Sequence, residues 1–287
     1  MQLNIFLTGA TGYIGGAIAE ALLARGHRVT GLVRSDDAAS KLSAKGVVPH
    51  RGDLASPASL ADVTRSSDGV IHAGTTSDGR LDREAVRAML EALGGSGKPF
   101  VYTSGVWVLG DTGGAVADES APLKPAALVA WRPGVEAMVL ESARHGVRSV
   151  VIRPAIVYGR ARGIPADFVK SARETGAARL VGSGENHWPT VHVEDLADLY
   201  VRAVERAEAG MLLHAAQGAY RVIEIAEAAS GGLTECWPLV HARETLGAYA
   251  DALVLDQQVS AEKAKATLGW NPRAASIIDD LRHGSYR

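Results

Sequence analysis

Through the first half of the chain, short runs of Val, Ile, Leu and Phe alternate with longer stretches in which apolar residues recur at intervals of three and four. The runs predict strands over residues 3–7, 28–33, 46–49, 69–72, 100–103 and 149–152. The intervening stretches predict helices, the first carrying Ile14, Ile18, Ala21 and Leu22 on one face. Asn4-Ile5-Phe6-Leu7 and Ser149-Val150-Val151-Ile152 are nearly continuous apolar runs, as expected of parallel strands buried on both faces. Strands regularly separated by helices predict βαβ units in an α/β fold.

After Gly159 the alternation weakens. Residues 160–186, rich in Gly and Arg, precede a helix predicted over 193–205 and a strand over 211–214. Further helices are expected over 222–229, 241–252 and 260–268, the last with Ser260 as N-cap and Gly269 as terminator. The pattern divides the chain into a main domain, residues 1–157 with 187–215, and a smaller lobe, residues 158–186 with 216–287. No internal repeat is evident.

A length of 287 residues allows one substantial core with a small appendage. The 47% hydrophobic and 22% charged content is that of an ordinary globular protein. A formal net charge of -2 provides no basic footprint for a nucleic acid or a membrane surface, so neither partner is expected. Residues 1–8 run into a strand pattern without a basic n-region or apolar h-region, and no apolar run approaches the roughly 20 residues of a membrane span. The lone Cys236, beside Trp237, has no ligand-spaced Cys or His and is expected in the core. A cytoplasmic protein without a metal is the expectation.

Thr8-Gly9-Ala10-Thr11-Gly12-Tyr13-Ile14-Gly15 joins the first predicted strand to the first helix. Gly9 permits the tight turn, Gly12 lets the backbone approach a pyrophosphate, and Gly15 lets helix and sheet pack closely. The helix N-terminus then offers free N–H groups to phosphate. At the end of the second strand, Val33-Arg34-Ser35 places an arginine where a 2'-phosphate would be read, which favours NADP over NAD. Asp36 and Asp37 follow as candidate N-terminal acids of the next helix.

These residues resemble the short-chain dehydrogenase/reductase superfamily, and within it the extended, epimerase- and dehydratase-like branch. Besides the glycine loop, Gly52-Asp53-Leu54 resembles the adenine-contacting segment, and His72-Ala73-Gly74 the fourth-strand end that passes the cofactor. Phe100-Val101-Tyr102-Thr103-Ser104-Gly105 resembles the fifth strand, and Arg153-Pro154-Ala155-Ile156-Val157-Tyr158-Gly159 the segment around the nicotinamide. Val191-His192-Val193-Glu194-Asp195 and Leu268-Gly269-Trp270-Asn271-Pro272 match two further family motifs. The resemblance implies a Rossmann-type, doubly wound parallel sheet with a small discontinuous C-terminal substrate lobe. It also implies cofactor contacts from Gly9, Thr11, Gly12, Tyr13, Ile14, Gly15, Arg34, Asp53, Leu54, Ala73, Gly74, Thr103, Ser104, Arg132, Pro154, Ala155, Ile156 and Val157. A homodimer through the helices around Arg132 is expected by the same analogy.

The chain departs from that branch where the chemistry is done. The family's Tyr and Lys, four residues apart, are missing: counting back from Glu136 places Leu128 and Arg132 there, and Gly105 stands where the usual catalytic hydroxyl falls. Arg132 can hold a ribose but cannot act as an acid. Tyr158 is the leading substitute proton donor, with Ser104 one residue early on its strand as the polarising hydroxyl. His72, His187 and His192 are further candidates, and Trp107 a candidate pocket wall. The leading expectation is an NADP(H)-dependent oxidoreductase acting on a small or medium organic carbonyl-type substrate. A non-catalytic NADP-binding redox sensor and a nucleotide-sugar epimerase or dehydratase stand as alternatives.

Overall fold

The computed structural model describes residues 2–76 and 78–287, so Met1, where the leader reading begins, lies outside the described residues. The chain opens with β1 (Asn4–Thr8), α1 (Tyr13–Ala24), β2 (Arg28–Val33), α2 (Asp36–Ser43), β3 (Val48–Arg51), α3 (Pro57–Ser66), β4 (Gly69–His72), α4 (Gly79–Leu93) and β5 (Pro99–Thr103). The short β6 (Val116–Ala117) precedes α5 (Arg132–Glu141) and β7 (Arg148–Pro154). Then come β8 (Ile156–Tyr158), α6 (Pro165–Thr175), β9 (Ala178–Val181), β10 (His187–His192), α7 (Val193–Arg206), β11 (Met211–Ala215) and β12 (Gly218–Arg221). The tail holds α8 (Val222–Ser230), β13 (Thr234–Trp237), α9 (Leu239–Leu246), α10 (Ala248–Leu253), β14 (Gln258–Val259), α11 (Glu262–Leu268) and α12 (Ile277–His283).

Seven strands form one parallel sheet in the order β11-β7-β5-β4-β1-β2-β3. The order reverses between β1 and β4, which opens a crevice at the carboxyl ends of those strands. Alternation along β1 explains the two layers of helices. Ile5 and Leu7 join α1 and α7 on one face, while Phe6 joins α3, α4 and α5 on the other. The predicted Rossmann-type sheet is the observed one.

A separate apolar cluster gathers Tyr158, Phe168, Trp188 and Ile225 beneath a three-stranded sheet, β12-β10-β8, with Phe168 stacked on Trp188 at 5.7 Å. Two long-range ties brace the elements around the crevice. Arg153 on β7 and Glu136 on α5 form a buried two-pronged ion pair at 2.9 and 2.6 Å. Gln257 in the tail donates to the carbonyls of Val106 and Gly110 at 2.9 and 2.7 Å, which fixes the turn carrying Trp107. Such two-pronged bonds specify geometry more than they stabilise.

Several local expectations require correction. Cys236 is exposed rather than buried, because its two-stranded pairing with β9 leaves one strand face open to solvent. The helix predicted over 241–252 is two helices, broken at Gly247, whose positive φ of 56° ends helical continuity. The last predicted helix begins at Glu262, with Ser260 Oγ accepting from the Glu262 N–H and Gly269 closing it in a left-handed conformation. Among the described residues no helix is long and apolar enough to cross a membrane, and no cluster of side chains suits a metal ion.

Candidate functional site

The turn after β1 is shaped by what its glycines lack. A Cβ on Gly9, whose φ is 74°, would overlap the Ala73 carbonyl, and one on Gly15 would overlap the Gly9 carbonyl oxygen. Gly12 serves as N-cap of α1 without a side-chain partner, and the first turn of α1 holds no acid, so its N–H groups remain available to an anion. Beside this turn runs a groove of ≈ 620 Å³ bordered by Gly9, Thr11, Gly12, Arg34, Asp53 and Leu54 on one side and by Ala73 and Gly74 on the other. The Cβ-free cradle and the uncapped helix fit a dinucleotide pyrophosphate.

Asp36 and Asp37, which follow Arg34 and Ser35 in the chain, are committed elsewhere. Asp36 pairs with Arg51 at 3.3 Å and Asp37 with Lys41 at 2.6 Å, and both lie in the first turn of α2 behind the N-cap Ser35. Arg34 borders the groove and has no ion pair among the described residues.

The floor of the groove rests on a buried chain of donors. The Gly74 N–H donates to Thr8 Oγ1 at 3.0 Å, Thr8 Oγ1 to His72 Nδ1 at 2.8 Å, and His72 Nε2 to Asp82 at 3.1 Å. Tyr102 completes it by donating to Asp82 at 2.8 Å. Burial alone would raise the Asp82 carboxyl. The bonds from His72 and Tyr102, with the positive Arg132 nearby, outweigh it and hold the group below its ordinary value. His72 is therefore a support of the β4 end, sealed from any substrate.

At Thr75 and Thr76 the groove continues into a second cavity of ≈ 570 Å³. Its walls are largely apolar, with Trp107, Leu128, Val129, Trp131, Ile156 and Ile164 prominent. Tyr13, Ile14, Pro154, Ala155 and Val157 also face it, so two of the motifs matched in sequence meet there although more than a hundred residues separate them. Ser104 lines the same cavity, and its buried Oγ has no hydrogen-bond partner among the described residues. An unpaired buried hydroxyl is costly, and turning this side chain toward the cavity would let a ligand oxygen satisfy it. Arg132 lines the cavity with its Nη1 donating to the Thr103 carbonyl at 2.7 Å.

Other candidates fall outside. Tyr158 is buried away from the cavity, its hydroxyl donating to the Ala275 carbonyl at 2.6 Å, and burial pushes its phenol above the ordinary value. It cannot serve as the proton donor expected of it, because the C-terminal tail has captured its hydroxyl. Tyr13 is similarly engaged, donating to the Gly159 carbonyl at 2.7 Å. His187 pairs with Asp256 at 2.9 Å and His192 accepts from the Glu194 N–H as a helix cap, neither lining the cavity. Thr103 borders neither space; its carbonyl holds Arg132 and its hydroxyl accepts from Tyr200. Gly15 acts through packing, bordering neither space.

Thr75, Thr76, Trp131, Gly163 and Ile164 were not anticipated as site residues. The threonines directly follow the His72-Ala73-Gly74 motif, which was signal enough to include them. Gly163 and Ile164 reach the cavity through a loop held by Tyr286, which accepts from the Gly159 N–H and donates to the Arg162 carbonyl, and no local pattern announces that closure.

Comparison with known proteins agrees with this architecture. The profile of the NAD dependent epimerase/dehydratase family matches residues 5–215. An uncharacterized protein of Schizosaccharomyces pombe is 32% identical, the match covering 99% of this chain and 100% of the relative. A 4-hydroxy-2-methyl-3-oxo-4-farnesyl-3,4-dihydroquinoline-1-oxide ketoreductase of Stigmatella aurantiaca is 30% identical over 76% of this chain and 69% of its own. The crystal structure of a UDP-glucose 4-epimerase from Thermotoga maritima superposes with a TM-score of 0.83 at 18% identity, covering 99% of this chain and 98% of the epimerase, and so shares the fold. The chain belongs to the NAD dependent epimerase/dehydratase family, a family of NAD(P)-dependent enzymes of oxidoreductase or epimerase type.

Proposed function

We propose that the protein is an NADP(H)-dependent oxidoreductase acting on a small or medium organic carbonyl-type substrate. The observation that carries this reading is an open apolar cavity continuous with the dinucleotide groove, with the unpartnered Ser104 hydroxyl in its wall. A redox sensor has no need of such space. In a nicotinamide enzyme the cofactor supplies or accepts the hydride.

Ser104 Oγ is the group proposed to hold the substrate oxygen, with the apolar walls seating the rest of the molecule. Arg132, pinned to Thr103, offers its remaining N–H groups to a ribose hydroxyl as a fixed positive charge. With Tyr13 and Tyr158 both committed to backbone carbonyls, the proton is drawn from solvent rather than from a phenol. The ketoreductase relative, named for its action on a fused-ring ketone, supports the reductive direction.

NADP preference rests on Arg34, which borders the groove while Arg51 and Lys41 neutralise the neighbouring acids. Calorimetric titration with NADPH, NADP, NADH and NAD tests the reading. Preference for the phosphorylated pair is expected, and Arg34→Ala should weaken that pair by roughly ten- to a hundredfold while leaving NADH and NAD unchanged. Absence of binding by all four would overturn the proposal.

A further inference from the structure

Gly79 opens α4 without needing a glycine's backbone freedom: its φ lies outside the left-handed region, and the N-cap Asp78 already satisfies the following N–H groups. What the position requires is the absence of a side chain. A Cβ there would fall within 2.7 Å of Trp131 Cβ and closer still to Trp131 Cγ, so the bare backbone of α4 is the surface against which this indole rests. Trp131 also lines the cavity. An atom added at Gly79 therefore has to displace a ring that lines the cavity.

Other contacts hold the aromatic wall in place. The Arg132 guanidinium lies 4.8 Å from the Trp131 ring centroid, and Trp107 meets Tyr249 edge to face at 5.9 Å. Leu128, in the place of the family's tyrosine, leaves an uncovered apolar side chain at the rim. Rigid indoles bind flat rings at low entropic cost. Polar groups are few: Thr75, Thr76, Ser104 and Arg132, the two indole N–H groups, and a Tyr13 hydroxyl already committed to the Gly159 carbonyl, with Arg132 the one cation among the described residues of the lining. A sugar diphosphate would need partners for each hydroxyl and several cations for its phosphates, which these walls do not offer.

We propose that the cavity takes a planar conjugated ring compound with a carbonyl or anionic oxygen at one edge, and that Gly79 sets its width by letting Trp131 recede. The inference rests on the oxidoreductase reading only in calling that compound a substrate; its binding is tested without turnover.

The experiment is calorimetric titration of the full chain, with and without NADP, using 2-methyl-1,4-naphthoquinone, its anionic 2-hydroxy analogue, the saturated ketone 1-decalone, and UDP-glucose. Both quinones should bind more tightly than decalone or UDP-glucose. Gly79→Ala should weaken both quinones by roughly tenfold. Arg132→Gln should abolish any advantage of the anionic quinone over the neutral one. Should Gly79→Ala fail to fold, Trp131→Leu carries the test and must weaken the quinones while melting as the wild type does. Equal or tighter binding of decalone or UDP-glucose, or indifference of the quinones to these wall substitutions, would overturn the proposal. Loss of dinucleotide binding with the quinone pattern intact would instead sink the proposed function and leave the cavity's ligand class standing.

Discussion

Arg132 donates from Nη1 to the Thr103 carbonyl at 2.7 Å and thereby fastens the first turn of α5 to the carboxyl end of β5. The guanidinium is thus a structural clamp and a fixed charge in the cavity wall at once, a double role that a lysine's single ammonium serves poorly. Arg132→Ala is expected to weaken NADPH by roughly tenfold and to lower stability by about 1–2 kcal/mol, whereas Arg132→Lys should recover most of the affinity and less of the stability. Calorimetry and denaturant melts on the same samples separate the two effects. Equal loss of affinity in both variants would show that charge alone is insufficient.

Ser104 yields a prediction with opposite signs for stability and activity. Its buried Oγ has no partner among the described residues, so Ser104→Ala removes an unsatisfied group and should leave the melting temperature unchanged or slightly raised. If the hydroxyl holds the substrate oxygen, kcat/KM should fall by roughly ten- to a hundredfold. A variant that loses stability and keeps full activity would reassign the hydroxyl to the fold.

Gly15→Ala inserts a methyl against the Gly9 carbonyl oxygen, inside the turn proposed to cradle a pyrophosphate. Backbone rather than a flexible side chain stands in the way, so the turn itself must shift, at a cost of roughly 1–3 kcal/mol. Dinucleotide binding should drop below detection while the far-ultraviolet dichroism stays native. Retained binding would mean that α1 can move away from the sheet without disturbing its N-terminus.

His214 predicts a pH dependence of stability. It is buried at β11, where burial and then the nearby Arg153 push its pKa down to about 4. The ring accepts from Arg153 through Nε2, a contact that requires the neutral form, while Nδ1 donates to the Ser260 carbonyl, which favours protonation but is outweighed. Above the unfolded value of 6.5 the group costs nothing. As pH falls from there toward 4, the unfolded chain takes up a proton that the folded chain refuses, and stability drops by about 3 kcal/mol before levelling off. Urea titrations between pH 7.5 and 4.5 should show this slope, and His214→Asn should flatten it; an unchanged slope would assign it to other groups.

The central sheet was legible because its strands are buried on both faces and so read as continuous apolar runs: predicted residues 28–33 and 69–72 coincide with β2 and β4. The glycine turn was equally plain, since close backbone approach at Gly9 and Gly15 leaves no room for a Cβ. Local patterning failed where burial depends on distant partners. Cys236 lies in an apolar stretch, yet its strand has only one neighbour and an open face. Sequence alone determined the α/β class, the glycine turn between the first strand and helix, the absence of any Tyr followed four residues later by a Lys, and the presence of Arg34 beside two acids.

Tertiary structure alone decided which of those residues share a space. Tyr158 ends a strand beside the crevice but surrenders its hydroxyl to Ala275, a partner 117 residues onward, while Asp36 and Asp37 turn to Arg51 and Lys41 and leave Arg34 beside the groove. Leu128 and Trp131 become one cavity wall, with Gly79 behind the indole, only when the segments around α4 and α5 pack together. The physical reason is that backbone preference and hydrophobic period act over a few residues, whereas the direction of a side chain and the partner that claims it are set by packing between segments far apart in the chain.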